Sequence, residues 1–138
     1  AKMGKIFVGT ELGGGGTSTP STVSIAETGI KNILSHFNII NEKPKTREEM
    51  GLEPIKRMHM PDPKSFTFSE DTGVYEALIE LDASVKIGDI IGQVHFPEKP
   101  ERDPITYKSK IEGTLIGRAH KALVYPGDFL ALVAQEIK

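Results

Sequence analysis

Val85-Lys86-Ile87-Gly88-Asp89-Ile90-Ile91-Gly92-Gln93-Val94 and Val124-Tyr125-Pro126-Gly127-Asp128-Phe129-Leu130-Ala131-Leu132-Val133 read as two versions of one stretch. In each, an apolar residue enters a tight Gly-Asp turn and an alternating run leaves it. Alternation with period two marks a strand with one buried face, and glycine supplies the backbone freedom that a tight turn needs. Further upstream each copy has a second glycine, Gly73 and Gly113. Two such units predict a β-domain with pseudo-twofold symmetry.

The rest of the chain from Pro54 onward agrees with that reading. Strands are expected over Ile55–Met60, Ser65–Ser69, Gly73–Leu81, Ile90–Phe96, Ile105–Ile111, Gly113–Ile116 and Phe129–Gln135. Turn-rich stretches separate them, among them Pro61-Asp62-Pro63, Glu70–Gly73 and Pro97–Pro104. Many short strands at regular spacing argue for a small sandwich or barrel.

Before Pro54 the pattern is different. The apolar run Ile6-Phe7-Val8 predicts a strand over residues 4–9, followed by a glycine-rich loop over 10–19. A helix comes next, with Thr19 as N-cap and Pro20 at its first position. Val23, Ala26, Ile30, Ile33, Leu34 and Phe37 recur at helical spacing and form one apolar face. Asn38 suits the left-handed residue that ends a helix, and Gly29 suggests close packing against a sheet. Residues 43–53 are polar and read as a linker with a turn of helix around Arg47–Met50. The domain expectation is a βα unit over 1–42, the linker over 43–53 and a β-domain over 54–138. A strand with so apolar a centre belongs inside a sheet, and nothing precedes it for pairing. The chain is therefore expected to be the C-terminal piece of something longer.

Composition narrows the function classes. The 138 residues are 38% hydrophobic and 26% charged, which fits a globular protein rather than a disordered one. A net charge of −2 and scattered basic residues give no electrostatic footprint for nucleic acid. Without cysteine, disulfides and thiolate metal sites are excluded. No apolar run is long enough to span a membrane, and a cytoplasmic location is the default expectation.

Gly9-Thr10-Glu11-Leu12-Gly13-Gly14-Gly15-Gly16 is the stretch most suggestive of chemistry. A carboxylate just past a strand is held in place, and glycines beside it let a substrate or backbone come close. A loose connector with a solvated Glu11 explains the same residues. Four histidines offer little more. His36, His59 and His120 read as surface residues. His95 and Glu98 have the spacing of a zinc ligand pair, but Pro97 lies between them, Lys99 and Arg102 are nearby, and no third ligand is evident.

The segment Gly4-Lys5-Ile6-Phe7-Val8-Gly9-Thr10-Glu11-Leu12-Gly13-Gly14-Gly15-Gly16-Thr17 resembles the glutamate-bearing segment of the succinylglutamate desuccinylase/aspartoacylase family. The helix ending Asn32-Ile33-Leu34-Ser35-His36-Phe37 and the two Gly-Asp turns continue the likeness. The resemblance implies an α+β fragment. Its first part would be the terminal βα unit of a zinc-carboxypeptidase-like α/β domain, and its second a β domain like a barrel-sandwich hybrid. It also implies a zinc-dependent hydrolase that cleaves the amide bond of small N-acyl amino acids. Glu11 then matches the catalytic glutamate, and Gly13 and Gly14 border the substrate. The zinc ligands would precede this segment, so none is expected in this chain, which should be inactive alone. The barrel-sandwich likeness brings an alternative, a biotinyl or lipoyl carrier with Lys99 as attachment point. Lys99 lies between Glu98 and Pro100, which departs from the carrier pattern and favours a structural role for the β half. That role would be to cover the active-site mouth or to join copies in a homo-oligomer.

Overall fold

The structure, a computed structural model, describes residues 4–137, so residues 1–3 and 138 of the expected units lie outside the described residues. The chain divides into two compact units, with the boundary in sequence between Pro54 and Ile55.

The described residues of the second unit form nine strands in chain order. They are β1 (Met58–His59), β2 (Phe66–Phe68), β3 (Gly73–Ala77), β4 (Ser84–Val85), β5 (Ile90–His95), β6 (Ile105–Lys108), β7 (Gly113–Arg118), β8 (Leu123–Val124) and β9 (Phe129–Glu136). One sheet has the order β6-β5-β3-β8, and the other has β1-β9-β7-β4 with β2 also on β9; all pairs are antiparallel. Strands β2 to β5 repeat as β6 to β9, and the repeats exchange partners. The short β4 leaves the first repeat to pair with β7, while β8 leaves the second to pair with β3.

The predicted pseudo-twofold holds down to single hydrogen bonds. Asp89 accepts from the Lys86 amide at 2.8 Å, and Asp128 accepts from the Tyr125 amide at 2.9 Å. The Gly88 amide reaches the Ser109 carbonyl, and the Gly127 amide reaches the Ser69 carbonyl. Both turn glycines are left-handed, with φ of 91° and 89°. In this conformation a side chain is strained, which is why glycine recurs there. Gly73 and Gly113 are needed for a different reason. A Cβ on Gly73 would overlap the His95 carbonyl oxygen, and one on Gly113 the Ala134 carbonyl oxygen.

Between the sheets lies one apolar cluster. Val85, Ile91, Val94, Leu115, Val124, Leu130 and Val133 are all at most 2% exposed, and each repeat contributes to it. Burying an aliphatic side chain contributes about 2 kcal/mol, so these residues dominate the unit's stability. The sequence pattern overextended several strands. Of Ile55–Met60 only two residues pair, Gly73–Leu81 ends at Ala77, and Ile105–Ile111 ends at Lys108. It missed β4 and β8 entirely, because two residues carry no periodic signal.

Among its described residues the first unit has a single helix, α1 (Pro20–His36), capped as expected. The Thr19 side chain accepts from the Thr22 amide, and the Thr22 side chain accepts from the Thr19 amide, a reciprocal capping box. At the other end Asn38 has φ 56°, the Ile39 amide bonds to the Leu34 carbonyl and the Asn38 amide to the Ser35 carbonyl. That is the left-handed stop predicted for Asn38. Two expectations need correction. Residues 4–9 form no strand, because a strand exists only through hydrogen bonds to a neighbour and none of the described residues supplies one. A Cβ on Gly29 would meet open space, so among the described residues that glycine packs closely against nothing. The expected helical turn near Arg47 is a hydrogen-bonded turn that ties back to α1, where Asn32 bonds both the amide and the carbonyl of Lys45. No described helix is long and apolar enough to cross a membrane.

Candidate active site

Glu11 lies on the loop that leads into α1. Its side chain is exposed and makes no hydrogen bond or ion pair with any described residue. The path after it is set by glycine: Gly13, Gly15 and Gly16 have φ of 76°, 66° and 70°. Three left-handed residues in four explain the glycine run, since other residues lose about 1 kcal/mol or more in that region. Gly14 is different; it is not left-handed, and a Cβ there would meet nothing. The Gly14 carbonyl accepts from the Thr17 hydroxyl at 3.1 Å, which closes the loop just before the helix cap. The geometry thus brings Glu11, Gly13 and Gly14 onto one short loop anchored at the start of a capped helix.

A concave surface of this unit lies apart from Glu11. It runs between α1 and the 43–52 turn and is lined by Ser24, Thr28, Asn32, Lys45 and Arg47, among others. Beside it Lys43 bonds to Glu49 at 2.8 Å. That bond, with the Thr46 amide, holds the Glu49 carboxyl down at about 2.

The histidines separate as structural surface groups. His36 meets the Phe37 ring edge-on with centroids 4.9 Å apart, and His59 and His120 are exposed. The His95 ring contacts the Glu76 carboxylate at 2.7 Å across the β3–β5 pair, and the Gln93 amide donates to the same oxygen at 2.7 Å. Hydrogen bonds from Gln93, then His95, lower the Glu76 carboxyl below its ordinary range. The sequence reading missed this trio, although Gln93 and His95 lie two apart on one strand face, as a shared partner requires. Among the described residues no three His, Asp or Glu side chains converge as a metal site would need. Lys99 is exposed in the loop joining β5 to β6, near Arg102, whose guanidinium stacks 3.6 Å over the Phe96 ring.

The fold of both units, with a glycine-flanked glutamate before a capped helix, matches the C-terminal part of structures from the desuccinylase/aspartoacylase group. No protein-family model matches the chain. Its homologues are nonetheless specific. The N-alpha-acetyl-L-2,4-diaminobutyric acid deacetylase of Halomonas elongata is 36% identical over 137 residues, 99% of this chain and 39% of that protein. The product-bound ectoine utilization protein EutE (DoeB) from Ruegeria pomeroyi superposes with a TM-score of 0.86 at 34% identity, covering 97% of this chain and 39% of that one. A succinylglutamate desuccinylase from a Silicibacter species gives 0.85 at 34% identity, covering 99% and 40%. The chain's homologues thus include an N-acetyl-diaminobutyrate deacetylase, EutE (DoeB) and members of the succinylglutamate desuccinylase/aspartoacylase family. The chain spans about two fifths (39%) of the length of the curated relative it matches.

Proposed function

We propose that this chain is part of a deacylase that cleaves the amide bond of small N-acyl amino acids, with Glu11 as its proton-transfer group. The observation that carries the reading is similarity to a diaminobutyric acid deacetylase along 99% of the chain, the Glu11 loop included. In amide hydrolysis a water oxygen adds to the acyl carbon and the C–N bond breaks. One proton leaves the water and finally reaches the departing amine nitrogen. A carboxylate within hydrogen-bond reach performs both transfers, as base and then as acid. Glu11 suits that work because no described partner occupies its oxygens. Gly13 and Gly14 are assigned to border the substrate: a Cβ on Gly14 would meet open space, while the Thr22 methyl backs Gly13 from the helix side.

Zinc enters the proposal only through the family resemblance. The described residues do not fit it, since no ligand trio converges and His95 is engaged by Glu76. The resemblance places the ligands before the glutamate segment, outside this chain, which alone should be inactive. In the same proposal the protein is cytoplasmic, and the β-domain covers the active-site mouth or joins copies into a homo-oligomer.

The test is turnover of N-acetyl-diaminobutyrate and related acyl-amino acids by the full-length protein with zinc, wild type against Glu11→Gln. Loss of a general base costs about 10²- to 10⁴-fold, so kcat should collapse with fold and metal content intact. Near-normal turnover would return Glu11 to an ordinary loop residue.

A further inference from the structure

We propose that Thr22 is the positioning residue for the Glu11 loop, an inference that rests on the reading of Glu11 as the proton-transfer group. Thr22 does two things with one side chain. Its hydroxyl is held at the helix start, accepting from the Thr19 amide at 2.9 Å and donating to the Thr19 carbonyl at 3.0 Å. With χ1 fixed by those bonds, its methyl is aimed in one direction, and that direction is Gly13. A Cβ built on Gly13 would stand only 3.0 Å from Thr22 Cγ2. The methyl therefore fills the space beside the left-handed glycine two residues after Glu11.

The loop is held from both sides of its bend. Thr17 fastens the Gly14 carbonyl, and Thr22 buttresses Gly13. Beyond these contacts Glu11 has no described hydrogen bond of its own side chain to fix it. The placement of its carboxylate is thus inherited from the loop, and the loop takes its position from the capped helix. Proton transfer is sensitive to such placement, since a shift of about 1 Å can cost on the order of 10²-fold.

The two roles of Thr22 can be separated. Thr22→Ser keeps the capping hydroxyl and removes the methyl. If Thr22 only starts the helix, the full-length enzyme with this change keeps its kcat. If Thr22 positions Glu11, kcat falls about tenfold, while KM stays within about twofold and helix content and Tm are unchanged. Gly13→Ala approaches the same contact from the other side and should cost more. Combining it with Thr22→Ser removes the methyl that the new Cβ meets, so the double variant should recover part of the loss.

Glu11→Gln is measured in parallel. If it collapses while Thr22→Ser retains kcat within twofold, the positioning role is overturned and the Glu11 reading stands. If Glu11→Gln turns over normally, the Glu11 reading fails and the inference falls with it. Should Thr22→Ser lower Tm, the pair with Gly13→Ala decides: recovery supports positioning, and no recovery overturns it.

Discussion

Both units carry periodic apolar residues, at helical spacing in the first and at strand spacing in the second, and they end in different states. From Ile55 onward the apolar residues meet in one core, and Val94 and Leu130 are fully buried. Up to Pro54 they do not: Ile6, Phe7 and Ile30 are 70%, 90% and 58% exposed, and Ser35 is the only buried residue among those described. An amphipathic stripe specifies a helix, but it supplies stability only when another surface covers it. The β unit carries its own cover, because each repeat lends a strand to the other. The helical unit finds no such cover among its described residues. Within the proposed function, that cover is the remainder of the catalytic domain.

The largest effects should come from the glycines that the strand exchange requires. Gly73→Val or Gly113→Val drives a side chain into a carbonyl of the facing strand, and no flexible group is there to yield. Each should cost more than about 3 kcal/mol and abolish the cooperative transition of the β unit in thermal melts. Gly29→Ala is the counterpart in the helical unit. It meets open space and should raise helix content slightly, by about 1 kcal/mol of propensity. A comparable loss at Gly29 would break the contrast between the units.

Truncations in the two units should differ next. Leu130→Ala removes a fully buried side chain and should cost about 3 kcal/mol in denaturant unfolding. Ile30→Ala in this chain removes a side chain that is more than half exposed, and its effect should stay within about 0.5 kcal/mol. In the full-length protein the same change should cost severalfold more if the helix is covered there.

The smallest effect concerns the Glu76 trio. Because the folded state lowers the Glu76 carboxyl, the unfolded state binds its proton more readily. The resulting stabilisation is complete at neutral pH and fades as pH falls below the ordinary carboxylate range. Glu76 is solvent-facing, so the slope should be shallow, and Glu76→Gln should flatten it in acid titrations of Tm.

Legibility followed the same division. The Gly-Asp turns, the long strands and both ends of α1 were readable because each depends on neighbouring residues: Asp128 with the Tyr125 amide, Thr19 with Thr22, Asn38 at the helix stop. The exchanged strands β4 and β8 were not readable, since two residues become a strand only through the partner they reach. The strand expected over 4–9 failed for the complementary reason. Its apolar residues announced a sheet, and no described partner pairs with it. At the site, Glu11 and its glycines stood out through composition. Thr22 did not, because the role proposed for it comes from aiming a methyl at a backbone that only the folded loop brings near.

Amide hydrogen exchange on this chain and on the full-length protein tests the central contrast most directly. The account predicts slow exchange in β3, β5, β7 and β9 of both samples, and fast exchange in α1 of this chain that becomes slow in the full-length protein. Protection of α1 in this chain equal to that of β9 would contradict it.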